Sequence, residues 1–232
     1  MTRPALLLLA LWIPACAAAE AVPSAQPALK SVWIKGIPHV LQRPDFCGEA
    51  CAEMVLRHHH VPATQDDVFG LTGISPSAAR GAYTRDMVKA LKALGFEVGK
   101  VWHPIKPASA DKEIGALFTA LHKDLRAGVP SIVCTRYDDK PGASEHLRLV
   151  VGYDATKDEV IYHEPAVARG ANLRMKREAF HGLWPLKYKK DRWTVVRLRL
   201  APGEGGLIMP HRPGGTTTPA ALAQAMMKAK KQ

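Results

Sequence analysis

From Cys47 towards Pro62, the apolar residues Ala50, Met54 and Val55 recur on one side at helical spacing. That spacing predicts a helix beginning at Cys47–Gly48 and stopping before the proline. A second helix is predicted from about Thr64, with Asp66 and Asp67 in its first turn, where negative charge suits the helix dipole. A third covers Tyr83–Leu94, with Thr84 as N-cap and Gly95 as stop. Phe96–Trp102 reads as a strand, and Asp111–Ala127 as a fourth helix ended by Gly128. The pattern then shortens to β-type runs at Pro130–Arg136, Leu147–Asp154, Glu159–His163 and Trp193–Leu200. Asp154–Asp158 is a polar turn that joins two of these runs into a hairpin. Helices followed by strands predict an α+β domain rather than alternating βαβ units. No internal repeat is visible.

The ends of the chain read differently. Ala5–Ile13 is a run of nine apolar residues, too short to span a bilayer. Arg3 precedes it and the small residues Ala15–Ala19 follow, so residues 1–19 have the form of a secretory signal cleaved after Ala19. The expectation is an exported protein, periplasmic or secreted, with no transmembrane domain in the mature chain. A non-cleaved anchor, or a lipoprotein acylated at Cys16, competes with this reading, although Pro14 suits the lipoprotein poorly. Residues 20–30 are Ala/Pro/Ser-rich and read as a linker, 31–200 as the domain, and 201–232 as a flexible basic tail.

Hydrophobic content of 47% and charged content of 23% are ordinary for a globular protein. The net charge is +11. Ten basic residues lie between Ala168 and Arg199, against Glu178 and Asp191, and such a face can attract an anionic polymer or membrane surface. Aromatic interleaving is thin and no nucleic-acid motif is present, so no specific nucleic-acid binding is expected.

Of the four cysteines, Cys16 leaves with the leader, and Cys47, Cys51 and Cys134 remain. An odd number of thiols in an exported chain implies at least one that is free or pairs with another chain. No C-x-x-C pair is present, which removes zinc-ribbon and thioredoxin-like readings. Cys51, one turn beyond Cys47, reads as core, with a possible disulfide to Cys134. His58-His59-His60 resembles a metal tract but more simply complements a helix C-terminus, so no metal and no organic cofactor are expected.

The segment Gln42-Arg43-Pro44-Asp45-Phe46-Cys47-Gly48-Glu49-Ala50-Cys51 puts a cysteine at a loop-to-helix junction. The helix dipole and unpaired N–H groups there favour a thiolate. Gly48 leaves room for a substrate backbone. Gln42 and the Cys47 N–H can form a two-donor oxyanion hole. The base comes from Glu145-His146-Leu147-Arg148-Leu149-Val150-Val151-Gly152-Tyr153-Asp154, with His146 opening an apolar strand and Glu145 beside it as a substrate contact. In a hairpin, the end of the next strand returns Glu164 to His146, where it can orient the imidazole. His163 should point to the other face, towards a supporting position or the surface.

In these segments the chain resembles the papain-like cysteine peptidases of the bacteriocin-leader (double-glycine) type, especially the stand-alone peptidase-like domains of exported bacterial proteins. The resemblance spans Ile37 to Pro165, and more loosely to Leu200. It rests on Gln42-x4-Cys47-Gly48, on His146 opening an H-x-x-x-V-V-G-Y-D strand, and on Glu164-Pro165 where the family has Asp-Pro. It implies a papain-like fold, with the nucleophile at a helix N-terminus packed on a C-terminal antiparallel sheet. It also implies a hydrolase that cleaves a peptide or other amide bond through a thioester. Phytochelatin synthase is similar around Gln-x4-Cys-Gly, which makes γ-glutamyl transfer an alternative, although no cysteine-rich tail is present. A non-catalytic binding module using the same cleft is the other alternative.

Overall fold

A computed structural model describes residues 29–189 and 192–210. The leader over 1–19, with Cys16, lies outside the described residues, as do most of the linker and most of the tail. The first strand, β1 (Val32–Trp33), is followed by three helices, α1 (Cys47–His58), α2 (Gln65–Thr72) and α3 (Thr84–Ala93). Then come β2 (Phe96–Glu97), β3 (Trp102–Ile105), α4 (Ala110–Arg126), β4 (Ser131–Arg136), β5 (Glu145–Asp154) and β6 (Glu159–His163). The chain continues through β7 (Leu173–Lys176), α5 (Arg177–Leu183), β8 (Pro185–Lys189), β9 (Arg192–Arg199) and β10 (Ala201–Pro202).

The large sheet runs β3-β9-β4-β5-β6-β7, with β1 paired to β5 and β8 to β9. Every pairing is antiparallel. The architecture is α+β. The run 131–136 is buried from Ser131 through Thr135 because both of its faces are covered. Ile132 and Cys134 pack with Met54, Met87 and Leu91 of α1 and α3. Val133 packs with Phe118 and Leu121 of α4 and with Trp184. Four apolar positions of α4 (Ile114, Phe118, Leu121 and Leu125) form its inward stripe.

The fully enclosed element is α1, buried from Gly48 through Leu56. It sits between the sheet and α2–α3, which hold it from both sides. Thr64 caps α2: its N–H donates to Asp67 Oδ2 at 2.8 Å, and its hydroxyl accepts from Asp67 N–H.

Two boundaries differ from expectation. Phe96–Trp102 is not one strand. Gly99, at φ 64°, breaks it, so that β2 pairs with β10 and β3 with β9. Residues 201–210, expected as the start of a tail, instead pack back on the domain. Gly203 N–H donates to Gly95 O at 2.8 Å and Ile208 N–H to Leu94 O at 3.0 Å.

The basic face over 168–199 is broken up by acids. Arg174 meets Asp154, Lys176 meets Glu159, Arg177 meets Asp158, and Arg197 and Arg199 both meet Asp124. Among the described residues no helix is long and apolar enough to cross a membrane.

Candidate active site

A cleft of about 840 Å³ opens where the start of α1 meets the edge of the sheet. Gln42, Cys47, Glu145 and His146 all line it. Cys47 is the first residue of α1, and its Phe46 N-cap offers no side-chain hydrogen bond to the helix. The N–H groups of the first turn are therefore open towards the thiol. Burial nevertheless pushes the Cys47 thiol up to about 11, against the Leu147, Gly48 and Cys47 N–H groups that favour its charge; the Glu49 charge adds to the rise. A thiolate was expected from the helix dipole. Desolvation outweighs the dipole here, and the resting group is a thiol.

His146 is buried, and its Nε2 lies 2.5 Å from Glu164 Oε1. The β5–β6 hairpin brings the two together: Leu149 pairs with His163, so Glu164 returns beside the start of β5. With Nε2 committed to the carboxylate, Nδ1 is the ring nitrogen left for the thiol. The Tyr137 ring packs edge-on against the imidazole, with centroids 5.1 Å apart, and covers it from solvent. Burial works against the Glu164 charge. The His146 hydrogen bond, the Ala166 N–H and Arg148 more than offset it and hold the carboxyl below its usual range.

Arg148 is the site residue that sequence reasoning missed. Its Nε donates to Glu164 Oε2 at 2.7 Å, and Nη2 to Tyr137 O at 2.6 Å. Its Nη1 reaches Thr135 Oγ1, and Arg136 O at 3.0 Å. The available signal was an arginine inside an apolar strand, two residues after His146 and so on the same face. A charge buried there must be paired. Gln65 was missed as well. Its Oε1 accepts the Arg43 N–H at 2.7 Å and its Nε2 donates to Leu41 O at 3.2 Å, which pins the loop on either side of Gln42. The Gln42 N–H donates to Pro165 O at 2.8 Å, tying that loop to the Glu164 turn. Gln42 Oε1 is buried with no partner among the described residues, which leaves the amide nitrogen as the end towards the cleft.

The Peptidase_C39 like family model matches residues 34–191. The chain belongs to this family. It is a cysteine peptidase-like enzyme with the family's papain-like fold, and peptides are its class of substrate. Among solved structures it is similar to the peptidase domain of Streptococcus ComA, a bifunctional ABC transporter of a quorum-sensing pathway. That likeness has 17% identity and a TM-score of 0.43, covering 71% of this chain and 98% of that one. It is also similar to a double-glycine-motif protease from an AMS/PCAT transporter, solved with its leader peptide. There the identity is 16% and the TM-score 0.42, covering 72% of this chain and 98% of that one. No curated protein matches the chain.

Two expectations about this family member need correction. Gly48 is not a substrate contact. It is buried, and a Cβ there would lie 2.6 Å from the Leu147 side chain and 3.0 Å from Met87, so its small size serves the packing of α1. Cys51 and Cys134 form no disulfide; both are free, with Cys51 Sγ directed at Leu147 O and Cys134 Sγ at Glu145. His163, expected at a supporting position or the surface, takes the first: it is buried, its Nε2 meets Ile37 O at 3.0 Å, and its Nδ1 accepts the Asn172 N–H at 2.9 Å. Among the described residues, no group of histidine, cysteine and acid side chains could hold a metal.

Glu49 is the second charged group placed behind the nucleophile. It is fully buried; Oε1 accepts the Ala82 N–H at 2.8 Å, and Oε2 has no partner among the described residues. Burial pushes its carboxyl up to about 7. A folded value above the ordinary one favours folding at low pH, and that advantage is lost as pH rises through about 7. Glu49→Gln should therefore match wild type near pH 4 and exceed it at pH 8 by up to roughly 3 kcal/mol. Urea midpoints at the two pH values read this directly, and an identical wild-type–variant gap at both would count against it.

Proposed function

We propose that this enzyme cleaves a peptide or other amide bond through a thioester on Cys47, with His146, Glu164 and Gln42 as its catalytic partners. The observation that carries the reading is the 2.5 Å contact of His146 Nε2 with Glu164, at the edge of the cleft that Cys47 lines. Because Cys47 rests as a thiol, His146 works as a general base when substrate arrives rather than as half of a preformed ion pair. The Cys47 proton moves to His146 Nδ1 as Sγ attacks the carbonyl carbon. The oxyanion accepts hydrogen bonds from the Gln42 amide and the Cys47 N–H. Collapse breaks the C–N bond, and the Nδ1 proton leaves with the amine. Water, deprotonated by His146, then hydrolyses the thioester and restores the thiol. Glu164 fixes the ring and stabilises the imidazolium. Export by the leader over 1–19 belongs to the same proposal.

An activated acyl ester tests the chemistry. Mixing with a p-nitrophenyl ester should give a burst of nitrophenol and an acyl mass on Cys47. His146→Ala should slow acylation about 100-fold or more. Acylation elsewhere, or at an unchanged rate in His146→Ala, would refute the assignment.

A further inference from the structure

The inference here rests on the reading of Cys47 as nucleophile and concerns what the cleft selects. On the sheet side, Trp102 pairs with Val196, Val196 with Cys134 and Cys134 with Leu147, across β3, β9, β4 and β5. Register partners project to one face, and Trp102, Cys134 and Leu147 all line the cleft. Glu145, two residues before Leu147, shares that face. Its Oε2 lies 3.8 Å from Cys134 Sγ and 3.5 Å from the Tyr188 hydroxyl. Both contacts are long, and both partners are neutral. Among the described residues no cation stands at ion-pair distance from Glu145, whereas Asp124, Asp154, Asp158, Glu159 and Glu164 each hold an arginine. Burial holds the Glu145 carboxyl above its usual range, and an incoming cation would relieve this.

Two rings in the cleft point the same way. Trp102 is 42% exposed and Tyr188, which meets Glu145, 43%, and both line the cleft. Open tryptophan and tyrosine faces in a cleft that also holds a carboxylate attract an ammonium by cation–π and charge. Two arginines, Arg80 and Arg85, line the cleft from the helical side, and neither stands at ion-pair distance from Glu145. Arg80 is held by Asp86 at 2.9 Å and by Gly81 O at 2.8 Å, and it lies over the Tyr83 ring. The overall charge of +11 makes an unpaired acid in this cleft the more unusual. We propose that Glu145, with Trp102 and Tyr188, forms a subsite for a substrate ammonium group, so that the enzyme prefers peptides with a cationic side chain or a free amino terminus near the scissile bond.

Three matched peptidyl acyloxymethyl ketones test this and separate the two sources of ammonium. One is N-acetylated and carries lysine, one is its N-acetylated norleucine isostere, and one carries norleucine with a free amino terminus. Each rate of Cys47 alkylation is divided by the same protein's rate with iodoacetamide, which cancels changes in thiol reactivity. Wild type should favour an ammonium peptide over the neutral one by about tenfold or more, and Glu145→Gln should reduce that preference to about twofold or less. The peptide that is favoured identifies the source. Equal normalised rates for all three, or a preference that survives Glu145→Gln, would overturn the subsite. If Cys47 reacts with none of them, the nucleophile assignment fails separately. The subsite is then judged in Cys47→Ala by equilibrium binding of the same three sequences as amides, followed by tryptophan fluorescence. An ammonium preference lost in Cys47→Ala/Glu145→Gln supports it, and no preference overturns it.

Discussion

Replacing Arg148 by methionine should destabilise the protein by about 3–5 kcal/mol at neutral pH, because it strands a buried carboxylate. Methionine keeps most of the volume, so the loss is of charge and hydrogen bonds rather than packing. Arg148 is buried, and its donors are spent on Glu164 Oε2, the Thr135 hydroxyl and the Arg136 and Tyr137 carbonyls. It thereby ties the end of β4 and the loop after it to the turn that carries Glu164. The pH dependence distinguishes this account from a simple packing defect. Glu164 has a folded value below its ordinary 4.5, so the stability it contributes is present above 4.5 and lost as pH falls through the folded value. Without Arg148 that value rises, and the gap between wild type and variant should be widest near pH 7 and shrink below about pH 4. Urea denaturation at both pH values decides. A gap that is constant with pH, or smaller than about 1 kcal/mol at pH 7, would mean that Arg148 does not carry the Glu164 charge.

The parts of this molecule that were legible in the sequence are those whose signal is local. The first and fourth helices announce themselves by apolar spacing, and both lie where that spacing puts them. The strands at 131–136, 145–154 and 159–163 have short apolar centres bounded by polar residues, and the β5–β6 pairing follows from the hairpin. Gln42, Cys47 and His146 could be placed on one cleft, and Glu164 beside His146, because each lies at a recognisable junction. What stayed hidden depends on distant partners. The segment 173–189 is dense in lysine and arginine, and its helix α5 buries Phe180, with Trp184 buried just beyond it. Two apolar residues four apart in so short a helix make no period. Gln65 reads as an ordinary helix start until the fold brings it against the 41–43 loop.

Electrostatics was the least legible layer. A helix N-terminus lowers a thiol's pKa and burial raises it, and at Cys47 burial prevails. Glu49, two residues on, is a buried acid held at about 7, and its charge adds to the rise that burial causes at the thiol. Together they hold Cys47 as a thiol. On the proposed mechanism, its attack then depends on the orientation of the His146 imidazole.

Glu164→Gln isolates that orientation. The substitution keeps the shape of the side chain and removes its charge. In the wild type both carboxylate oxygens accept, one from His146 Nε2 at 2.5 Å and one from Arg148 Nε at 2.7 Å. A glutamine has one oxygen and one NH2 for three donors, because the Ala166 N–H also donates to the oxygen on the His146 side at 3.0 Å. The permanent charge of Arg148 holds the glutamine oxygen more strongly than the single neutral Ala166 N–H, so the NH2 faces His146. Nε2 must then accept, which puts the ring proton on Nδ1, the atom that has to receive the Cys47 proton. The variant should fold, bind peptide and lose acylation by about 1,000- to 10,000-fold, the size expected when a catalytic histidine is held in the wrong tautomer. Glu164→Asp should lose less, about 10- to 100-fold, because a carboxylate one methylene shorter keeps the tautomer but cannot reach both partners. Single-turnover acylation by an activated ester ranks the three proteins. If Glu164→Gln acylates as fast as Glu164→Asp, tautomer control is wrong and Glu164 acts only as a structural anchor for Arg148.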